Sequence, residues 1–400
     1  MTGGDSSVII SQCGAFHAWP AAQAAFKQGW LQKFVTTRPV REMVPKGKIR
    51  NLGYLEFPLR GLRYLNGRVL HSANLDQWHK KFVKAVQVLF DRTAAGEINS
   101  RTRIFHVFSL FQKKAVQRCE KMGVKRIMDY GTAHPVFFER IMNEEAGRLG
   151  LPPFVFRDLD QRCDELSRMD AICIPSRFVE RTFRESGYST NNLVLNSYGV
   201  DSDFFRPQGI RYPRGAPFRV ITAGMLGVRK GTDYLMKAIK SLDQQGIKVE
   251  LYLMGNAEGE FYDRVLKRYS EYITFMRTVP HADLPRYYSS ADVFVLPSLL
   301  EGQARAVFEA MACGLPCIVT SHAGHDDTIH DEENGFLIPV RDSAAIAERI
   351  ERLYQDPDLR SYMGRQARLT AEQHSWIPYQ DGLINLYRGF LGNDGKTTGM

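Results

Sequence analysis

"DVFVLPSLLEGQARAVFEAMACGLPCIVT", residues 292–320, contains the pattern that decides the fold. Val293 to Leu296 is apolar without alternation, and so is "CIVT" at 317–320. Between them "ARAVFEAMACG" has helical periodicity and stops at Gly314. Short strands that are apolar on both faces belong to parallel sheets covered by helices on both sides. The same alternation extends upstream. "FRVITAG" (218–224), "KVELYLMG" (248–255) and "YITFM" (272–276) read as strands. "TDYLMKAIKSLDQQG" (232–246), "EGEFYDRVLKRYS" (258–270) and "LPRYYSSA" (284–291) read as helices. The expectation is a doubly wound, Rossmann-like α/β unit.

The first half follows the scheme less cleanly, with strand-like "SVIIS" (7–11), "RIFHVFS" (103–109), "RIMDYG" (126–131) and "AICIPS" (171–176). "RPQGIRYPRGAP", 206–217, is rich in Pro and Gly and reads as a linker. A chain of 400 residues is long for one core. The expected organisation is therefore a first unit at 1–205, the linker at 206–217, a second unit at 218–375, and a closing helix at 376–391.

Composition is that of an ordinary globular chain, 44% hydrophobic and 24% charged. The six cysteines form no CxxC pair, which favours buried reduced thiols. No apolar run approaches a membrane span, and "MTGGDSSVII" lacks a basic leader, so the expected location is the cytoplasm. Net charge is +9, and residues 1–200 carry 30 Lys and Arg against 18 Asp and Glu. The basic excess thus lies wholly in the first half, as it would for a partner such as anionic lipid, an acidic glycan or nucleic acid; scattered solvated cations are the plain alternative.

In open parallel sheets, ligands bind beyond the carboxyl ends of the strands. Three candidates fall there. In "AGMLGVRKGTDYL", Arg229 and Lys230 stand before a helix start, an arrangement suited to a diphosphate and also common in plain solvated loops. Glu301 follows a strand and Glu309 lies in the next helix, eight positions on, so they are offset by about 80° around the axis and serve different parts of a ligand. "MDYGTAHP" ends a first-half strand and offers His134, although a lone histidine is more often structural.

"RKG", "PHADLPRYYSSADVFVLPSLLEG", "FEAMACGLPCIVT" and "HDEENGFLIP", in this order, resemble family 4 of the retaining GT-B-fold glycosyltransferases. "DAICIPSRFVERTFRESGY", "LNSYGVDSDFFRP" and "HSWIPYQDGLINLY" extend the resemblance to the interdomain join and to a helix crossing back onto the first unit. The resemblance covers about residues 125 to 390. It implies a GT-B fold: two Rossmann-like doubly wound domains facing across a cleft. It implies transfer of a hexose-type sugar from a nucleoside-diphosphate sugar to a hydroxyl acceptor, with retention, in envelope glycan or glycolipid assembly. Another nucleotide-sugar activity (hydrolysing or epimerising) and a non-catalytic sugar-binding protein are the alternatives.

By resemblance, Glu309 would accept from the ribose hydroxyls and Glu301 would touch the donor sugar. Arg229 and Lys230 would neutralise the leaving diphosphate in place of a metal ion, helped by backbone N–H groups from Ala304 to Ala306. Gly302, Gln303, Ala304 and Arg305 would complete the donor site, and His134 would stand beside sugar and acceptor. Two departures bear on the donor. Gly224-Met225 replaces a common Gly-Arg, and "EGQA" replaces a common "EGFG", placing Gln303 and Ala304 beside the sugar. Gly14 in "SQCGAFHAW" permits close backbone approach, with His17 or Trp19 on the acceptor side.

No metal and no other cofactor is expected. The triplets Asp158-Leu-Asp160 and Asp201-Ser-Asp203 stand in helix-like and joining contexts, and no zinc spacing occurs. In "QWHKKFVKAVQVLF", Trp78, Phe82, Val86 and Leu89 recur at helical spacing, with Lys80, Lys81 and Lys84 off that stripe. Such a helix suits an anionic membrane, with Arg60, Arg63 and Arg68 extending the patch, or packs on its own domain. Interleaved aromatics also fit nucleic acid, but no recognition motif appears and none is expected to bind. The partners expected are therefore a nucleotide-sugar donor and a glycan or lipid-linked acceptor, at the inner face of the membrane if the basic half meets lipid.

Overall fold

A computed structural model of the chain describes residues 6–14, 17–38, 44–55, 73–209, 217–257 and 259–392. Among the described residues, the first unit has seven strands: β1 (Val8–Gln12), β2 (Leu31–Thr36), β3 (Ile49–Asn51), β4 (Ile104–Val107), β5 (Lys125–Asp129), β6 (Ala171–Ile174) and β7 (Leu193–Leu195). Its helices are α1 (Ala18–Lys27), α2 (Ala73–Glu97), α3 (Lys113–Met122), α4 (Pro135–Leu149), α5 (Leu159–Ser167) and α6 (Arg177–Glu185). All strands are parallel, in the order β3-β2-β1-β4-β5-β6-β7.

The second unit repeats the plan. Its strands are β8 (Phe218–Ala223), β9 (Val249–Met254), β10 (Phe275–Met276), β11 (Val293–Leu296), β12 (Cys317–Thr320) and β13 (Gly335–Ile338). Its helices are α7 (Thr232–Gln244), α8 (Gly259–Arg264), α9 (Leu284–Tyr288), α10 (Arg305–Ala312), α11 (Ser343–Gln355) and α12 (Pro357–Gln373). The order is β10-β9-β8-β11-β12-β13, again all parallel. In both sheets the order reverses beside the first strand, at β1/β4 and β8/β11. Such switch points open a crevice at the carboxyl edge, where ligands bind.

The apolar strand runs are buried as their composition demands, with β4, β6, β11 and β12 buried at every residue. A last helix, α13 (Trp376–Gly392), leaves the second unit and packs on α1. Tyr379, Leu383 and Tyr387 enter the core beside Ile10, Phe34 and Ile127. Gln380 Nε2 donates to Pro20 O and to Gln23 Oε1, and Tyr387 Oη lies 2.6 Å from His106 Nδ1.

A polar clasp joins the units elsewhere. Glu145 on α4 is 1% exposed, accepts from Tyr234 Oη at 2.8 Å, and pairs with Arg341 at 2.8 Å. Arg341, which also meets Glu144, has φ of 64°, an uncommon conformation for a residue with a Cβ.

Helix α2 packs in a register other than the expected stripe. Val86, Phe90 and Ala94 face inward, while Trp78 is 64% exposed and Leu89 is exposed beside Lys81 and Lys84. The helix is long enough for its face to be set by the neighbour it covers, here α3. Arg60, Arg63, Arg68 and the side chain of Lys80 lie outside the described residues.

Candidate functional site

A cavity of about 600 Å³ lies between the two carboxyl edges and takes its walls from both units. Arg229 and Lys230 reach it from the β8–α7 loop because Gly231 starts α7 at φ 62°. A Cβ on Gly231 would come within 2.0 Å of Pro297 O, so only glycine lets this loop press against the one after β11. Leu299 N–H donates to Arg229 O at 2.8 Å and fixes the two loops together.

This brings Glu301 to both cations: it pairs with Arg229 and, at 2.7 Å, with Lys230. The Glu301 and Lys230 side chains are each 12% exposed. Burial alone would raise the pKa of Glu301, but Lys230 and Arg229 outweigh it and hold the carboxyl below its usual range. Burial lowers the pKa of Lys230 in spite of Glu301. Met225, where the resemblance puts a further arginine in many relatives, is 54% exposed.

Glu309, about one turn into α10, lines the same cavity and accepts from Tyr288 Oη at 3.3 Å. Its pKa is raised, chiefly by burial, with Arg305 acting in the opposite sense. Arg305 opens α10 and is exposed toward the cavity. The amide of Ala304 already donates to Ala323 O at 3.2 Å, so it does not join the anion site expected of it. The N–H groups of Arg305 and Ala306 are those a helix start leaves without intrahelical acceptors.

Gln303 also departs from expectation. Its Oε1 accepts from Tyr198 N at 2.7 Å and from Ser197 Oγ at 3.1 Å, so its amide ties the interdomain join while its stem lines the cavity. Gly302 touches the first unit: a Cβ there would meet Gly131 O at 2.2 Å, and its carbonyl accepts from Ser176 Oγ at 2.6 Å.

His134 is not at the cavity. It is 3% exposed, caps α4 through Val136 N, and packs on Phe183 and Tyr188, with burial pushing its pKa down to about 4. Its side chain is turned into the core because it begins a helix that packs there. The histidine found at the cavity is His17, whose Nε2 lies 3.1 Å from Asp129 Oδ1. A histidine just after a first strand was a legible signal; its carboxylate partner, 112 positions away, was not. Gly14 has φ of 98° and donates its N–H to Thr37 Oγ1, and it is not among the cavity-lining residues.

Both Asp triplets have local structural partners. Asp158 accepts from Arg162 Nε, and Asp201 accepts from Phe204 N. Among the described residues, no group of three or more His, Cys, Asp or Glu side chains could hold a metal ion.

Residues 212–370 match the family model of glycosyl transferases group 1. The putative glycosyltransferase EpsD of Bacillus subtilis (strain 168) is 30% identical over 214 residues, 50% of this chain and 56% of its own. The putative colanic acid biosynthesis glycosyltransferase WcaL of Escherichia coli (strain K12) is 27% identical over 199 residues, 47% of this chain and 49% of its own. The chain thus spans about half the length of the curated relatives it matches. Sucrose-phosphate synthase from Thermosynechococcus elongatus superposes with a TM-score of 0.70 at 19% identity, over 96% of this chain and 99% of its own. Anabaena Alr3699/HepE in complex with UDP and glucose gives 0.67 at 14% identity, over 96% and 100%. The chain therefore has the GT-B fold of glycosyltransferases such as sucrose-phosphate synthase, and its second unit is similar in sequence to glycosyl transferases group 1.

Proposed function

We propose that the chain is a retaining glycosyltransferase of the family 4 type, moving a sugar from a nucleoside-diphosphate donor to a hydroxyl of a glycan or lipid-linked acceptor. The observation that carries this reading is the pair of cations, Arg229 and Lys230, held beside a helix start at the carboxyl edge of a parallel sheet. A diphosphate seated there replaces Glu301 as their counter-ion. As the anomeric C–O bond breaks, the electron pair leaves with the diphosphate, and the two cations stabilise the growing charge. Glu301, displaced from the cations, is then free to meet the donor sugar. Glu309 holds the ribose. The UDP bound by HepE, which shares the fold, supports a nucleotide in this cleft.

The cations do the work that a divalent ion does elsewhere, so transfer proceeds in EDTA. The names of the relatives, among them colanic acid biosynthesis, support a role in envelope glycan or glycolipid assembly. Exposed Trp78, Val88 and Leu89 beside Lys81 and Lys84 support peripheral contact with an anionic bilayer at the cytoplasmic face. Among the described residues, no helix is long and apolar enough to cross a membrane.

The test is a thermal-shift screen of nucleotide sugars followed by calorimetry on Lys230→Ala. Nucleotide binding should weaken by about 1.5–3 kcal/mol, the range for hydrogen bonds to charged groups. Unchanged affinity removes Lys230 from the site. Activity lost in EDTA and restored by manganese would overturn the metal-independent reading, and an inverted anomer in the product NMR spectrum would overturn retention.

A further inference from the structure

A second cavity, of about 490 Å³, adjoins the donor cavity and shares His17, Arg305 and Glu309 with it. Its walls come from the start of α1 with Trp19 and Gln23, the join after β7 with Asp201 and Phe204, the turn before α9 with His281, and the start of α13 with Trp376. The rings are presented to this space. Phe204 is 38% exposed, His281 is exposed, and Trp19 and Trp376 are half-buried. Phe204 and His281 lie stacked, with centroids 5.2 Å apart and planes 11° from parallel. Polar groups accompany the rings. Exposed Asp201 accepts from Phe204 N at 3.0 Å, and an ionised carboxylate has room for further donors. Gln23 adds an amide whose oxygen accepts from Gln380 Nε2 at 3.0 Å. Among the described residues that line the cavity, Arg305 is the one permanent cation, and Glu309 and Asp201 offset it. The floor is rigid. Val200 N–H donates to His374 O at 2.9 Å, and a Cβ on Gly199 would come within 2.5 Å of the Ser375 backbone. Only glycine lets the join press so closely on the start of α13, which holds Phe204 and Trp376 in place before any ligand arrives.

We propose that this cavity is a subsite for a neutral oligosaccharide, the part of the acceptor beyond the sugar that receives the new bond. A pyranose ring has an apolar C–H face and a rim of hydroxyls. It therefore takes an aromatic ring against the face and carboxylate or amide groups at the rim. Rings standing on separate elements, with polar groups among them, suit successive sugars. A fatty chain would set the Asp201 carboxylate against hydrocarbon, which is costly. An acidic glycan would bring negative charge to a wall whose permanent cation already has counter-ions. The volume lies within the roughly 300–1,000 Å³ of small-molecule sites. Trp19 and Trp376 pack on the core of the first unit, whereas His281 and Arg305 belong to the second. The subsite is therefore complete only when the two units are closed on each other.

The proposal rests on the glycosyl-transfer reading of the cleft, and separate measurements keep the two apart. UDP binding is read by calorimetry on the parent and on Lys230→Ala. Glycan binding is read, with and without UDP, on an array of neutral oligomers of glucose, galactose, mannose and N-acetylglucosamine. Uronic-acid oligomers and phosphatidylglycerol vesicles are tested beside them. The parent should retain at least one neutral series, with affinity rising about tenfold from the single sugar to the trimer. Phe204→Ala and Trp376→Ala should each weaken that binding about tenfold. Trp376→Phe, which keeps a ring face, should restore most of it. Phe204 lies at the surface, so its truncation leaves the core intact, and the chain-length dependence needs no variant at all. Retention of no glycan, or of uronic-acid oligomers or vesicles only, overturns the proposal. So does affinity independent of chain length, or parent-like glycan binding in both alanine variants. None of these outcomes touches the diphosphate reading. A parent that fails to bind UDP counts against the diphosphate reading instead, while neutral-glycan binding that depends on Phe204 still supports the subsite.

Discussion

At Glu301 the competition between counter-ions decides what the residue does. Its carboxylate neutralises two cations, one of them in a largely buried side chain. Glu301→Gln leaves Lys230 buried beside Arg229 without its ion-pair partner, so the folded chain should lose stability. The same change leaves the cations more available to a diphosphate, so UDP should bind several-fold tighter while turnover falls. Calorimetry and steady-state kinetics read the two effects, and unchanged UDP affinity would sink the competition.

Glu309 has the opposite electrostatics. Its pKa is raised above 4.5 by burial, so the folded chain holds a proton that the unfolded chain has released. Stability therefore declines as pH rises through the window from about 4.5 to the raised value, and the cost persists at neutral pH. Glu309→Gln should accordingly melt at a higher temperature than the parent at pH 7 and lose that advantage near pH 4. It should also bind nucleotide more weakly, by about 1.5–3 kcal/mol. A gain in both stability and affinity would remove Glu309 from the ribose.

Among the elements, helix α4 shows how one segment serves both core and interface. It starts at His134, turns that ring into the core, and ends by presenting Glu145 to the second unit. Arg341 meets it from a left-handed backbone position in the loop after β13, an expensive conformation that the clasp holds in place. Removing one partner of a buried pair is costly because the other charge stays uncompensated. Arg341→Ala should therefore destabilise the chain by about 3–5 kcal/mol, or open the two units relative to each other so that Glu145 regains water. Chemical denaturation measures the first outcome and small-angle scattering the second. Parent-like values in both would show that the clasp carries little energy.

For the molecule as a whole, closure depends on α13. Tyr379, Leu383 and Tyr387 are each at most 1% exposed and complete the core of the first unit from the far end of the chain. Burying three such side chains is worth about 5–9 kcal/mol, comparable with the whole margin of a typical domain. Deleting residues 376–392 should abolish the cooperative unfolding transition of the first unit in calorimetry, while the second unit keeps its transition. A deletion that melts as the parent does would show that the crossing helix is dispensable to folding.

What could be read directly was local. Continuous apolar runs such as Val293–Leu296 and Cys317–Thr320 announce strands covered on both faces, and the alternation with helices announces a parallel sheet, because each rule depends on neighbours a few residues away. The placing of Arg229, Lys230, Glu301 and Glu309 at one carboxyl edge followed from the same local logic. Other assignments needed the third dimension. His134 and His17 both follow first-unit strands, and the sequence offers no means of telling which ring turns inward. That is settled by Phe183 and Tyr188 packing over one and by Asp129 meeting the other across 112 positions. Gln303 is polar and sits at the mouth of the cavity, yet its amide is taken by the join. The packed face of α2 depends on α3 and not on the apolar stripe beginning at Trp78. Local propensity is written in neighbouring residues, whereas the direction of a side chain is set by what the folded chain brings against it.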